Sequence, residues 1–165
     1  GRRLAARLAL PFVDSDTEVE TAAGMTVEQI FDRFGEAEFR AVERRVISRL
    51  LNESPHVIST GGGAFINEEI RAMIKEKATS IWLKVDIEIL FDRISRRADR
   101  QLLKGDGDEP RIKLEKLKEI REETYAMADI TVESDHRPAE ETVTRVLEAL
   151  SSRGQMTGIR YQKKE

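Results

Sequence analysis

Short apolar runs alternate along the chain with longer segments in which apolar residues recur at helical spacing. Four runs, at residues 10–13, 56–59, 81–85 and 130–132, predict β-strands. The segments between them predict helices; residues 36–51, for example, place their apolar side chains on one face. Strands separated by helices are typical of a parallel sheet covered on both faces, so the pattern predicts an α/β fold.

Capping residues predict where several of these helices begin and end. Thr26 and Gln29 form a capping box, and Gly35 provides a left-handed stop for the helix that they open. Asn67 and Asp86 stand at the start of two later helical segments and predict their N-caps. These residues therefore predict where three helices begin and where one of them ends.

Composition and charge narrow the class of protein. The 165 residues suit one domain, predicted over residues 1–150, followed by a polar tail at residues 151–165. With 28 Lys+Arg against 31 Asp+Glu, the net charge of −3 lacks the positive field that nucleic-acid binding needs. There is no cysteine, no apolar run long enough to span a bilayer and no signal peptide. These features predict a cytoplasmic enzyme domain without a nucleic-acid or membrane partner.

Polar and glycine-rich segments follow the first two predicted strands, at the sheet edge where α/β proteins bind ligands. Asp14 and Asp16 come directly after the first strand, and their carboxylates can hold Mg²⁺ or orient a hydroxyl group. A solvated turn is the alternative for this pair. Gly61, Gly62 and Gly63 follow the second strand, where backbone N–H groups without side chains can approach a ligand closely.

Basic residues supply the remaining candidate chemistry. Arg40 and Glu43 share a helix face, and taken alone they predict a surface ion pair of little energetic value. Residues 98–110 are rich in glycine and acidic residues and predict a mobile loop. Between residues 93 and 121, ten Lys/Arg stand against six Asp/Glu, which suits an anionic ligand under a lid. A solvated helical face is the alternative for the lysines.

In their order and spacing, these segments resemble the shikimate kinases. The matching pieces extend from residue 1 to about residue 150, and the most specific are residues 14–16 (DSD), 35–40 (GEAEFR), 59–64 (STGGGA), 100–103 (RQLL) and 128–132 (ADITV). The resemblance implies a nucleoside-monophosphate-kinase-like three-layer fold with a mobile lid and a five-stranded parallel sheet in the order 2-3-1-4-5. It also implies a monomer that transfers a phosphoryl group from ATP to the 3-hydroxyl of shikimate.

For the acid substrate, the resemblance assigns roles to residues around the first two strands. Asp16 would hydrogen-bond the shikimate hydroxyls and receive the proton of the attacking one. Arg40 and Arg121 would bind the shikimate carboxylate, a task that suits the planar guanidinium group. Glu43 belongs to the same substrate-binding motif as Arg40, and residues 61–63 would offer backbone N–H groups to the substrate.

For the nucleotide, the resemblance assigns a second set of residues. Asp14 would lie near Mg²⁺ and its water shell. Arg100 would come down with the lid onto the phosphates of ATP and stabilise developing charge. Arg93 and Arg137 would lie beside the nucleotide, with Pro138 beside the adenine.

The chain departs from the family pattern in two ways. Gln101 replaces the usual lid proline, which should loosen the entry to the lid without removing the charge of Arg100. The chain also enters a helix at residue 1 and contains no Gly-x-x-x-x-Gly-Lys-[Ser/Thr] phosphate loop, which in the family follows the central strand. We therefore expect residues 1–165 to be part of a longer chain and not to fold alone; cooperative melting of this polypeptide in a calorimeter would contradict that expectation.

Two other functions are compatible with these residues. One is a non-catalytic shikimate-kinase-like binding module, which the missing phosphate loop favours and the retained Asp14, Asp16 and Arg100 disfavour. The other is a related small-molecule kinase, such as one acting on gluconate, because an arginine pair serves any small carboxylate. The Phe39–Arg40 pair beside the triple glycine favours shikimate.

Overall fold

The computed structural model of the protein describes residues 1–96 and 109–154. These residues form two compact units. Of the described residues, the first unit comprises 1–80 together with 150–154, and the second comprises 81–96 and 109–149. The prediction of a single domain over residues 1–150 stays a prediction.

The first unit contains two strands that pair in parallel. Its elements are α1 (Arg2–Leu8), β1 (Phe12–Asp14), α2 (Ser15–Ala23), α3 (Val27–Leu50), β2 (Val57–Ser59) and α4 (Glu68–Lys77). The register pairs Phe12 with Val57 and Asp14 with Ser59. Gly61, Gly62 and Gly63 follow β2 and are called the glycine turn below. Because both strands end at the same sheet edge, the segment after Asp14 and the segment that leads from Ser59 into the glycine turn start side by side.

The second unit repeats this arrangement with a second parallel pair. Its elements are β3 (Ile81–Val85), α5 (Ile87–Arg96), α6 (Glu109–Tyr125), β4 (Ile130–Ser134) and α7 (Ala139–Ser152). The register runs from Ile81 with Ile130 to Val85 with Ser134. The prediction of an α/β fold with parallel strands is confirmed. Within the described residues, β1 pairs with β2 and β3 pairs with β4 in two separate two-stranded sheets.

The predicted helix boundaries are confirmed at their caps. The Thr26 hydroxyl accepts a hydrogen bond from Gln29 N (3.2 Å), and Gln29 Oε1 accepts one from Thr26 N (3.0 Å), which completes the capping box. Gly35 interrupts α3 with φ 80° and ψ 176°, a conformation that favours glycine, and a helix resumes at once after it. Asn67 caps α4, and Asp86 accepts a hydrogen bond from Glu88 N at the start of α5.

Helix α2 was not predicted from the sequence, and it begins at Ser15, where a solvated turn was the alternative interpretation. Asp14 is its N-cap: Oδ1 accepts hydrogen bonds from Asp16 N (3.1 Å) and Thr17 N (3.4 Å). The helix buries only Ser15 and Val19, so it lacks the recurring apolar positions by which a helix is recognised in a sequence.

Two apolar clusters hold the first unit together. The larger is formed by α2 and α3 and contains Val19, Ile30, Phe39, Val46 and Leu50. The smaller contains Ile47, Ala64, Ile70 and Ile74, and it packs the residue that follows the glycine turn against α3 and α4. The glycine turn is therefore anchored to the same helix that carries Arg40. None of the helices within the described residues is long and apolar enough to cross a membrane.

We expect Thr26→Ala to lower the free energy of unfolding by about 1 kcal/mol, because the amide of Gln29 loses its capping hydroxyl. Thr21→Ala is a matched control, since the exposed Thr21 hydroxyl only donates to Thr17 O within a helix. Its effect should stay within about 0.5 kcal/mol. Urea denaturation of the two variants and the wild-type protein measures both values. Equal losses would contradict a stabilising role of the capping box.

Candidate active site

Asp16 lies in the first turn of α2, where burial and like charges act on its carboxyl group. Burial raises the pKa of Asp16, and the negative charges of Asp14 and Glu20 raise it further. The positive charge of Arg40 opposes this shift, so the two side chains, on different helices, belong to one electrostatic site. Within this site Asp16 is poised to hold a proton more readily than an ordinary aspartate.

The glycine turn lies against both Asp16 and Arg40. A Cβ atom on Gly61 would lie 2.8 Å from Asp16 Oδ1, and one on Gly63 would lie 2.3 Å from Arg40 Nη2. Neither glycine has a positive φ. An alanine at Gly61 or Gly63 would therefore force the Asp16 carboxylate or the Arg40 guanidinium to move.

Several hydrogen bonds fix the conformation of this turn. Gly61 N donates to the buried Ser15 hydroxyl at 3.4 Å, and Ala64 N donates to Gly61 O at 3.1 Å. The Arg71 guanidinium donates from Nη1 to the carbonyl oxygens of Phe65 (2.9 Å) and Ile66 (3.0 Å). The turn is thus held from α2 on one side and from α4 on the other.

Arg40 and Glu43 do not form the surface ion pair that their spacing alone predicted. Glu43 is only 1% exposed, and its Oε2 accepts a hydrogen bond from Arg40 Nη1 at 2.7 Å. The prediction was wrong because helical spacing gives the distance between two side chains but not the depth at which they lie. A buried carboxylate bound to a guanidinium fixes that guanidinium far more firmly than an exposed one does.

The protonation of this pair follows from burial and contact. Burial raises the pKa of Glu43, although the hydrogen bond from Arg40 opposes the shift. Burial disfavours the charge of Arg40, but the hydrogen bonds and charges of Glu43 and Glu36 outweigh it and raise the pKa of Arg40. Glu43 Oε1 is buried without a hydrogen-bond partner among the residues that the structure describes. The cation of Arg40 is therefore a permanent feature of the site.

The ring of Phe39 borders Arg40, and the ring of Phe31 packs against that of Phe39. The guanidinium carbon of Arg40 lies 5.1 Å from the ring centroid of Phe39, and that ring contacts Phe31 with 4.6 Å between centroids. Phe39 is buried, whereas Phe31 is 37% exposed. The site therefore combines a cation, two carboxylates and an aromatic wall.

Three of the residues predicted to bind the nucleotide, Arg93, Arg137 and Pro138, lie in the second unit near the carboxyl end of β4. Arg93 donates to the Ser134 hydroxyl (3.1 Å) and to the carbonyl oxygen of Asp135 (2.7 Å). Arg137 binds the Asp135 carboxylate at 2.5 Å, and this hydrogen bond is the largest cause that lowers the pKa of Asp135. Pro138 directly precedes α7.

Of the remaining predicted site residues, Arg121 is described by the structure and Arg100 is not. Arg121 is half-buried on α6, in the second unit. Arg100 and Gln101 lie outside the described residues, as does nearly all of the predicted lid. Within the described residues, no group of three or more His, Asp or Glu side chains could hold a metal ion.

Several known proteins are similar to this chain in sequence. The shikimate kinase family profile matches residues 1–151. The shikimate kinase of Bradyrhizobium diazoefficiens is 51% identical over 150 residues, which cover 91% of this chain and 72% of that protein. The shikimate kinase of Paramagnetospirillum magneticum is 53% identical over 150 residues, covering 91% of this chain and 76% of that protein.

The chain belongs to the shikimate kinase family. Solved structures of shikimate kinases share its fold. The enzyme of Acinetobacter baumannii, solved in complex with shikimate, has a TM-score of 0.85 and 32% identity, with 93% of this chain and 85% of that chain covered. The enzyme of Aquifex aeolicus has a TM-score of 0.80 and 36% identity, with 93% and 89% covered. The nucleoside-monophosphate-kinase-like fold that the resemblance implied is thereby confirmed.

In this shikimate kinase fold, the structure brings together five of the predicted site residues within the first unit: Asp16, Arg40, Glu43, Gly61 and Gly63. It adds residues that the sequence analysis did not single out. Glu36 binds Arg40 from one helical turn away, and its spacing was a usable signal. Ser15 and Phe31 touch the site only through tertiary contacts, for which the sequence contains no local signal.

Proposed function

We propose that this chain transfers the γ-phosphoryl group of ATP to the 3-hydroxyl of shikimate. The observation that supports this most is the convergence of Asp16 and Arg40 on the glycine turn. The Arg40 cation can bind a carboxylate, and the Asp16 carboxylate can bind a hydroxyl group. Because both lie at the glycine turn, they suit a substrate that carries both groups, as shikimate does.

Arg40 binds the carboxylate of the substrate in this proposal, with Arg121 as its second partner. The guanidinium is planar and carries several N–H donors, so it binds a carboxylate through parallel hydrogen bonds. Glu43 orients Arg40 from the protein interior through the 2.7 Å hydrogen bond. The backbone N–H groups of residues 61–63 add donors to the substrate.

Asp16 acts on the hydroxyl that is phosphorylated. Its carboxylate accepts a hydrogen bond from this hydroxyl and takes the proton as the hydroxyl oxygen attacks the γ-phosphorus. The bond from the γ-phosphorus to the bridging oxygen breaks, and ADP leaves with its electron pair. Because its pKa is raised by burial and by neighbouring carboxylates, Asp16 accepts the proton more readily than an exposed aspartate does.

ATP and Mg²⁺ complete the reaction, and the phosphate loop that holds them in the family is not among residues 1–165. Arg93, Arg137 and Pro138 bind the nucleotide, and Arg100 binds its phosphates in the transition state. Asp14, whose Oδ1 caps α2, would help to hold Mg²⁺ through water bound to the ion. This single carboxylate suits Mg²⁺, which keeps several waters and takes further oxygens from phosphates. When bound, the ion neutralises phosphate charge.

The proposal includes a monomeric protein that works in the cytoplasm. The absence of cysteine and the mildly acidic composition support a reducing, aqueous compartment. The residues that we assign to substrate and nucleotide all come from one chain, so no partner copy is required for the reaction.

Incubation of the purified protein with ATP, Mg²⁺ and shikimate tests the reaction. We expect ADP release that depends on shikimate and a product whose ³¹P spectrum and mass identify shikimate 3-phosphate. Gluconate in place of shikimate should give no phosphorylated product. Binding of shikimate without ADP release would indicate a binding module, and phosphorylation of gluconate instead of shikimate would indicate a different kinase.

The pH dependence of the reaction tests the role of Asp16. We expect kcat/KM for shikimate to fall at low pH as Asp16 becomes protonated. In Glu20→Gln, one negative charge near Asp16 is removed, so the pKa of Asp16 falls and the acidic limb moves to lower pH. The glutamine oxygen can still accept the hydrogen bond that Glu20 accepts from Val27 N at 3.0 Å.

Glu18→Gln is the matched control for this experiment. It removes the same charge from the same helix, but Glu18 is bound to Arg49 at 2.5 Å and does not act on Asp16. Its acidic limb should coincide with that of the wild-type protein. An acidic limb that is identical in all three proteins would exclude Asp16 as the group that takes the proton.

A further inference from the structure

Two carboxylates of opposite character bind the guanidinium of Arg40. Glu43 is 1% exposed and accepts from Nη1, whereas Glu36 is 67% exposed and lies one helical turn before Arg40. Glu36 Oε1 accepts from both Nε (3.3 Å) and Nη2 (3.2 Å). One carboxylate is thus locked in the interior, and the other is held only at the surface.

Glu36 occupies a side of Arg40 that is suited to an incoming carboxylate. A guanidinium has five N–H donors and binds a carboxylate best through two adjacent, parallel ones. The donors on Nε and Nη2 form one such edge, and both bind Glu36. A substrate carboxylate therefore competes with Glu36 for these donors.

The charges near Arg40 also favour competition between Glu36 and a substrate carboxylate. Among the residues that the structure describes, the guanidinium is the cation whose charge lowers the pKa of both Asp16 and Glu43, and it faces three carboxyl groups: Asp16, Glu43 and Glu36. An additional carboxylate is repelled by all three. Glu43 cannot leave without abandoning a charge in the interior, which is costly. Glu36 can swing into water at the small cost of an exposed ion pair.

We propose that Glu36 is an internal competitor for Arg40, which the carboxylate of a small organic acid displaces on binding. This inference rests on the proposed function and deepens it, because it assigns to an exposed side chain the control of substrate affinity. Glu36 keeps Arg40 oriented and its charge compensated until a carboxylate takes its place. The exchange replaces one ion pair by another, so the substrate binds less tightly than it would to an uncontested arginine.

The test compares Glu36→Gln with Glu38→Gln. Both variants remove one exposed charge from the same helix, but Glu38 pairs with Arg45 at 3.7 Å and not with Arg40. Isothermal titration calorimetry at low ionic strength gives the Kd of shikimate and of its uncharged methyl ester. Steady-state kinetics give the KM values for shikimate and ATP.

We expect Glu36→Gln to bind shikimate about two- to fivefold more tightly than the wild-type protein. The gain should shrink at high ionic strength, and it should be absent for the methyl ester and for the KM of ATP. Glu38→Gln should behave as the wild-type protein does. A merely structural role of Glu36 at the start of its helical segment would not produce a gain that depends on the substrate carboxylate.

Other outcomes separate the inference from the proposed function. If the wild-type protein binds shikimate, and Glu36→Gln binds it equally or more weakly, the inference is wrong and the proposed function stands. An equal gain for the methyl ester, or the same gain in Glu38→Gln, would also overturn it. If none of the three proteins binds shikimate, the proposed function fails and the inference falls with it.

Discussion

Replacement of Arg40 by alanine is expected to raise the KM for shikimate about ten- to a hundredfold, because a charge-assisted pair of hydrogen bonds to the substrate carboxylate is lost. The KM for ATP should change little, since our proposal assigns Arg40 to the acid substrate and not to the nucleotide. Initial rates measured at varied shikimate and at varied ATP give both constants. Equal rises in the two KM values would contradict the assignment of Arg40 to the substrate.

Loss of Arg40 also leaves Glu43 in the interior without its cation, which is destabilising. Arg40→Lys avoids this difficulty, because it keeps a positive charge near Glu43 but removes the planar guanidinium. We expect it to raise the KM for shikimate as well. Arg44→Ala is the surface control: Arg44 lies on the same helix and pairs with the exposed Glu69 at 2.9 Å, so neither KM should change.

Gly63→Ala is expected to have the second large effect. The new Cβ would lie 2.3 Å from Nη2 and 2.5 Å from Nη1 of Arg40, so the guanidinium must move. Displacement of a positioning group by about 1 Å can reduce activity on the order of a hundredfold. We therefore expect a rise in the KM for shikimate that approaches the effect of removing Arg40, without a comparable change for ATP.

Two comparisons identify the cause of the Gly63→Ala effect. In the Arg40→Lys background, Gly63→Ala should add much less than it does alone, because the two changes act on one contact. Gly24→Ala places a Cβ in open space at φ 67°, so it should lose about 1–2 kcal/mol of stability and leave the KM for shikimate unchanged. Full additivity with Arg40→Lys would show that Gly63 acts independently of Arg40.

The elements of the fold that could be predicted were those with a local signal. The strand at residues 81–85 and the capping box of Thr26 and Gln29 depend on residues close together in the chain, and both were found where expected. Helix α2 escaped because only Ser15 and Val19 are buried, and a helix with so small a buried face has no apolar periodicity. Its start is determined instead by the Asp14 side chain.

The sequence indicated several residues of the candidate site, but it did not indicate how deeply they are buried or what holds them in place. Asp16, Arg40 and the glycines were recognised from their motifs, and the structure places them together within the first unit. The burial of Glu43 could not be predicted, because depth depends on which helices pack over a position. The reason for glycine at position 63 was equally hidden, since it lies in the approach of Arg40 from a distant part of the chain.

The contacts of Arg40 fix its spacing from Glu36 and Glu43 along the helix. An α-helix turns by about 100° and rises by about 1.5 Å per residue, so both carboxylates reach Arg40 only at offsets of four and three residues. A single inserted residue between Arg40 and Glu43 would rotate the buried carboxylate away from its cation. Descendants of this chain can therefore change the eight residues from Glu36 to Glu43 by substitution but not in number.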